Sequence, residues 1–438
     1  MSNVFPRQIT NPPIKAVSSD GCYIIDENGK QYFDGSGGAA VSCLGHGDPD
    51  VIKAVQDQTS KMAFAHTGFF SSDPAEELAE LLIDNAPGEL DRVYFVSGGS
   101  EAIEAAIKLA RQFHIENGEP SRHHIIARKQ SYHGNTLGAL AAGGNKWRRN
   151  QFEPILIGVS HISPCYEYVD KLKEETSFDY GQRVAQELED EILRLGSDKV
   201  MAFIVEPVVG ATMGAVPAVP GYFKKVRNIC NKYGVLLILD EVMCGMGRTG
   251  HLFASEFDEI APDILCIAKG LGAGYQPIGA MLCSKDIYDR LGKGSGFFQH
   301  GHTYMGHPVA CAAGLAVLKA ILNRKLLSSI NNKSNQLFNC LKTQLEHPNI
   351  GDIRGRGLFI GIEIVKNIET KKPFDPNLKV AASIKNAAFE AGLICYPMSG
   401  TRDGKWGDHI LLAPPFILNE NQIIELVNKL SIAIESVK

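Results

Sequence analysis

The chain of 438 residues carries 44 basic and 49 acidic side chains, a net charge of −5, with 44% hydrophobic and 21% charged residues. This is the composition of a folded globular protein. It excludes nucleic acid or an anionic membrane as the main partner, since both demand concentrated positive charge. The length suits a large domain with a smaller one beside it.

The opening residues, Met1-Ser-Asn-Val-Phe-Pro-Arg7, lack the apolar core of a secretion signal. No apolar run reaches the roughly 18 residues that mark a membrane span, so a cytoplasmic location is expected. The ten cysteines follow neither Cys-x-x-Cys nor zinc-ligand spacing. Buried free thiols, and no metal site, are expected.

In chain order, Gly21 to Asp34 predicts a hairpin turning at Asn28-Gly29, and Val51 to Ser60 a helix. Pro74 opens a helix with acids in its first turn. Strands are expected at Arg92–Val96, His124–Arg128, Val200–Glu206, Val235–Asp240 and Ile264–Ala268. Helices are expected at Glu101–Phe113, Gln186–Leu195 and Tyr222–Tyr233. This alternation predicts βαβ crossovers and a mostly parallel central sheet flanked by helices. The basic clump Lys146-Trp-Arg148-Arg149 reads as solvated surface. After Pro308 a helix, Val309 to Leu322, is expected to leave the large domain. A strand near Leu358 and helices near 380–391 and 420–436 follow. The expected division is a large domain at 61–315 and a smaller, discontinuous α+β domain built from 1–60 and 316–438.

Two apolar runs end abruptly in a charge: Val235-Leu-Leu-Ile-Leu-Asp240 and Ile264-Leu-Cys-Ile-Ala-Lys269. Runs of this kind are strands buried on both faces, and ligands bind at the carboxyl ends of such strands. A desolvated lysine has a depressed pKa and is a nucleophile. A buried acid needs a cationic partner, either a neighbouring Arg or Lys or a protonated ring nitrogen. The pair suits pyridoxal 5′-phosphate (PLP), which uses a lysine for its Schiff base and an acid for its pyridinium.

Other segments fit the same cofactor. Val96-Ser-Gly98-Gly99-Ser100-Glu101 joins a strand to a helix and reads as a phosphate seat, or as a tight turn with Ser100 as N-cap. Tyr132, in Ser131-Tyr-His-Gly134, can stack on a ring or close the core, and His133 reads as a structural group. Val242 lies on the Asp240 face if the strand continues, and Glu206 ends the preceding strand.

Leu239-Asp-Glu-Val-Met-Cys-Gly-Met-Gly-Arg-Thr-Gly250 and Ala268-Lys-Gly-Leu-Gly-Ala-Gly-Tyr-Gln-Pro277 carry a family likeness. So do Gly45-His-Gly47, Val205-Glu-Pro207, Gly301-His-Thr303-Tyr304 and Gly407-Asp-His-Ile-Leu-Leu-Ala-Pro-Pro415. From about residue 20 to 435 the chain resembles the class III (omega-type) aminotransferases of PLP fold type I. The resemblance implies an enzyme in which Lys269 carries the cofactor and Asp240 holds its ring nitrogen protonated. Gly99, Ser100 and Thr303 of a second subunit would bind the phosphate, and Tyr132 and Val242 would sandwich the ring. A homodimer or dimer of dimers, with active sites at the interface, is implied as well.

The departures concern the substrate. Members acting on ornithine or 4-aminobutyrate carry a glutamine and an acid after Glu-Pro, and Glu206-Pro-Val-Val-Gly-Ala211 has neither. The chain looks closer to amine:pyruvate-type members. Where these often place tryptophan, Ala40 stands here, which implies a roomier pocket. Phe69 and Phe70 line that pocket or pack a loop core, and Arg402 is the candidate to bind a substrate carboxylate. The expected reaction moves an amino group from an amine or amino acid to a 2-oxo acid, pyruvate first among them. The same fold also serves decarboxylating aminotransferases, racemases and phospho-lyases. A PLP-binding scaffold without turnover is the non-enzyme alternative.

Overall fold

The computed structural model describes residues 3–437. Among them seven strands form the central sheet, in the order Leu90–Val96, Gly279–Ser284, Ile264–Ile267, Leu236–Asp240, Val200–Val205, His124–Arg128, Val159–Ile162. All neighbours are parallel except at Gly279–Ser284, which runs against both of its partners. The mostly parallel sheet is therefore present, with one reversal that the alternation did not signal. Residues 268–278 are too few for a helical crossover, so the chain returns antiparallel.

The sheet is covered on both faces, which is why its strands read as unbroken apolar runs. Leu236 and Ile238 pack with Ala102, Ile103 and Ala106 of the helix Gly99–Glu116. Leu237 and Leu239 pack the other way, with Leu188 of Ser177–Leu195 and Val226 of Tyr222–Tyr233. Each such side chain contributes about 1.5–3 kcal/mol on leaving water. The helix expected from Gln186 starts nine residues earlier, because Thr176 caps it: its Oγ1 accepts from the Asp179 amide at 3.1 Å.

The N-terminal hairpin forms as expected, Tyr23–Asp26 against Gln31–Asp34, and Ala16–Asp20 adds an outer strand. That outer strand is exposed throughout and lacks any apolar alternation. Gln31–Asp34 pairs in parallel with Leu393–Ile394, so the two ends of the chain meet in one sheet. Beside it lies an antiparallel sheet of Ile350–Arg356, Phe359–Ile364, Asp408–Leu412 and Tyr396–Ser399. A boundary at 315/316 passes through the middle of one unbroken helix, Pro308–Asn323. That helix is apolar nearly all round and buried, packed against Pro49–Lys61 and Asp73–Asp84. The helix expected at Val309–Leu322 is thus present, one residue longer at each end.

Among the described residues no helix is long and apolar enough to cross a membrane. None of the ten cysteines is disulfide-bonded, and all but the half-buried Cys340 are buried. The parallel strands end on one side of the sheet, so the segments after Val96, Arg128, Val205, Asp240 and Ile267 open on one crevice.

Candidate active site

Asp240 closes its strand at 4% exposure. A carboxylate this deep needs donors, and it has two. His133 Nδ1 donates to Oδ2 at 2.8 Å, and the Val242 amide donates to Oδ1 at 3.0 Å. No arginine or lysine pairs with Asp240 among the described residues; the His133 imidazole orients the acid. Glu206, buried on the adjacent strand's end, accepts from the Tyr132 amide at 3.1 Å and the Gly210 amide at 2.9 Å. Burial raises its pKa, and Asp240 adds to the rise. Next in sequence to Asp240, Glu241 accepts from the Ala254 and Ser255 amides at 2.5 and 2.9 Å, fixing the loop that follows.

Lys269 begins a single 3-10 turn after the strand Ile264–Ile267 and adopts φ 44°, a left-handed conformation unusual for a side-chain-bearing residue. Removal from water drives its ammonium from 10.5 down to about 8; Arg148 helps, and Asp240 and Glu206 pull the other way. Such an amine is both nucleophile and proton carrier at ordinary pH. Cofactor-stripped protein is therefore expected to capture added PLP at a rate that rises with pH through a midpoint near 8, followed by visible absorbance. A midpoint near 10.5 would mean that the amine is solvated.

The turn after Val96 is held by Glu101, whose Oε2 accepts from the Ser97 amide at 2.7 Å. The helix starts at Gly99 with Gly98 as its cap, so Ser100 lies in the first turn and is not the N-cap. Its Oγ accepts from the Asn135 amide at 3.1 Å and donates to Asn135 Oδ1 at 2.9 Å. First-turn amides lack helical acceptors, and a Cβ built on Gly98 would meet nothing within 4 Å. Glycine is required nearby: a Cβ on Gly99 would stand 2.7 Å from Val242 Cγ1, and one on Gly134 (φ 139°) would stand 2.6 Å from Ser100 Oγ. Val242 and Gly134, two residues after Tyr132, are in this way packed against the helix start. The strand ends at Asp240, so Val242 reaches the helix start from the following turn and not along a pleat.

The expected substrate residues are more scattered. Arg402 Nη2 donates to the Lys371 carbonyl, and its enclosed Nε has no partner among the described residues. Its loop is tied to the crevice: Gln130, two residues before Tyr132, donates Nε2 to the Gly400 and Thr401 carbonyls at 2.7 and 3.1 Å. Ala40 is 2% exposed, in an apolar cluster with Ala211, Met243 and Leu411. Loop-core packing fails for Phe69 and Phe70, which are 81% and 67% exposed and, among the described residues, make ring contacts only with His66 and each other. Thr303 is exposed too. The basic clump is only half solvated. Lys146 and Trp147 are exposed, but Arg149 Nη1 donates to the Gly143 carbonyl at 2.9 Å, and the Arg148 guanidinium lies 4.6 Å from the Tyr132 ring centre. Only the Asn145 cap three residues earlier could have signalled that Arg148 turns inward.

The class-III aminotransferase family model matches residues 4–434. An uncharacterized aminotransferase of Schizosaccharomyces pombe is 46% identical, over 97% of this chain and 93% of its own. A thermostable (S)-enantioselective omega-transaminase from Thermomicrobium roseum superposes with a TM-score of 0.93 at 34% identity, covering 100% of this chain and 97% of that one. The omega transaminase from Pseudomonas jessenii in complex with PMP superposes equally, at 0.93 and 31% identity, over 99% and 96%. Likeness of that extent, end to end, fixes the family: the chain belongs to the class III aminotransferases and is a PLP-dependent enzyme built like the omega-transaminases.

Proposed function

We propose that this aminotransferase takes an amino group from an amine, an omega-amino acid or an amino acid and passes it to a 2-oxo acid, with pyruvate as the acceptor, by a ping-pong route. One observation carries the reading: a lysine amine that titrates near 8 faces two buried acids, all at the ends of neighbouring strands.

The crevice suits PLP part by part. The first-turn amides at Gly99 and Ser100 would hold the phosphate, joined by Thr303 from a second copy of the chain. Asp240, aimed by His133, would hold the proton on the ring nitrogen. Tyr132 and Val242 would cover the ring, and Glu206 would keep Tyr132 in place through its amide. When bound, PLP supplies an aldehyde for the incoming amine and a ring that accepts the electron pair left at the substrate carbon. Lys269 Nζ, lowered to about 8 by burial, would hold and move the proton at that substrate carbon.

On the substrate side, Arg402 is proposed to bind a carboxylate once it releases the Lys371 carbonyl. Ala40, beside Ala211, is proposed to leave room for the larger substituent. The exposed rings of Phe69 and Phe70 support a homodimer or dimer of dimers in which they enter a partner's pocket. The test is a single half-reaction: an amine donor should bleach the visible absorbance of the bound cofactor, and pyruvate should restore it. Absence of bleaching with every donor in a panel overturns the reading, and release of carbon dioxide or phosphate would reassign the reaction type.

A further inference from the structure

Of the arginines packed around the crevice, most have acceptors. Arg128 donates to the Glu206 carbonyl at 2.6 Å, Arg149 to the Gly143 carbonyl at 2.9 Å, Arg354 to Glu363 at 2.7 Å, and Arg402 to the Lys371 carbonyl. Arg148 differs. Its half-buried side chain makes no hydrogen bond or ion pair among the described residues, and its Nε is shut off from water. Tyr132 supports the guanidinium at 4.6 Å, leaving the N–H edges unused.

The mount beneath it is firm. Asn145 caps the short helix Lys146–Arg149, accepting from the Arg148 amide at 3.2 Å. Its Nδ2 reaches Gln130 Oε1 at 3.3 Å, and Gln130 in turn holds the loop that carries Arg402. Gly404 of that loop is so close that a Cβ there would stand 3.0 Å from the Trp147 amide nitrogen.

We infer that Arg148 is a substrate-binding residue: its guanidinium, laid on Tyr132 without an acceptor of its own, takes the carboxylate of the 2-oxo acid or amino acid substrate. The inference rests on the aminotransferase reading above. A carboxylate would take the two Nη groups, which are not enclosed as Nε is, through the two-pronged geometry that arginine offers and lysine does not. Arg148 also adds, after burial, to the lowering of the Lys269 amine, consistent with its place beside Tyr132 at the crevice. Unlike Arg402, Arg148 has no bond to break before binding.

The test compares holoenzymes carrying Arg148→Gln, Arg148→Lys and Arg402→Gln, with one amine donor and two acceptors, pyruvate and butanal. The ratio of kcat/KM for pyruvate to that for butanal should fall about 10- to 100-fold in Arg148→Gln, the range for losing a charge-assisted pair. Arg148→Lys should show a smaller fall and decides the matter if the glutamine variant does not fold. Propionate, which cannot react, should bind more weakly in the same proportion, read from the shift in cofactor absorbance. An unchanged ratio, equal losses on both acceptors, or a fall confined to Arg402→Gln overturns the inference. If the unaltered enzyme transaminates no acceptor, the aminotransferase reading has failed instead, and propionate binding still decides the role of Arg148.

Discussion

Lys269→Ala is expected to abolish turnover and the visible absorbance of the bound cofactor, while leaving a folded protein. Loss of the proton carrier alone costs about 10²- to 10⁴-fold, and loss of the covalent anchor adds to it. Folding should survive, because the lysine is a burden to the cofactor-free fold. Its ammonium titrates near 8 instead of 10.5, so below pH 8 the folded chain carries a charge it disfavours. The sign follows: the penalty is complete below the folded value and vanishes as pH rises past 10.5. Each whole pH step between the folded and unfolded values is worth about 1.4 kcal/mol. Cofactor-free Lys269→Ala should therefore unfold at a higher temperature than cofactor-free parent at pH 7, and the gap should close as pH rises. A variant that melts earlier at pH 7 contradicts the burial argument. One that keeps turnover and absorbance removes Lys269 from the chemistry.

The proposed catalytic pair, Asp240 and Lys269, is legible because its signal is local. An apolar run ending in a charge can be read from six residues, and burial on both faces of a parallel sheet makes Leu236–Asp240 and Ile264–Ile267 such runs. What pairs with what is a long-range matter. Gly279–Ser284 looks like any apolar strand, and its reversed direction depends on the shortness of the preceding connection. Leu393–Ile394 has only two residues in its strand, and its partner lies at the other end of the chain. The Ala40 burial and the Arg148 stack depend on side chains contributed by distant loops. That His133 pairs with Asp240 is visible only once the sheet is formed. Residues proposed to touch the cofactor are therefore more legible in the sequence than those proposed to choose the substrate, since the latter sit on loops brought together only by the fold.

Asp240→Asn should lower kcat about 10²- to 10³-fold, the loss typical of removing one preorganised electrostatic partner, with the fold retained. The amide fills the same space, and one face can still accept from the Val242 amide, as Oδ1 does at 3.0 Å. It cannot carry the negative charge that keeps a ring nitrogen protonated. It also turns an NH₂ toward His133 Nδ1, forcing the imidazole proton to Nε2, an atom enclosed without an acceptor among the described residues. The neighbouring groups report the change independently of turnover. Asp240 is the first of the charges that support the Lys269 ammonium, so its removal should move the midpoint for PLP capture below 8. Asp240 also raises the Glu206 pKa, so that carboxyl should ionise more easily. An unaltered kcat would strip Asp240 of its role. A lowered kcat with the capture midpoint unmoved would show that the acid acts through the fold and not through its charge. A joint fall in both ties the acid at one strand end to the lysine at the next, which is what the crevice between their strands requires.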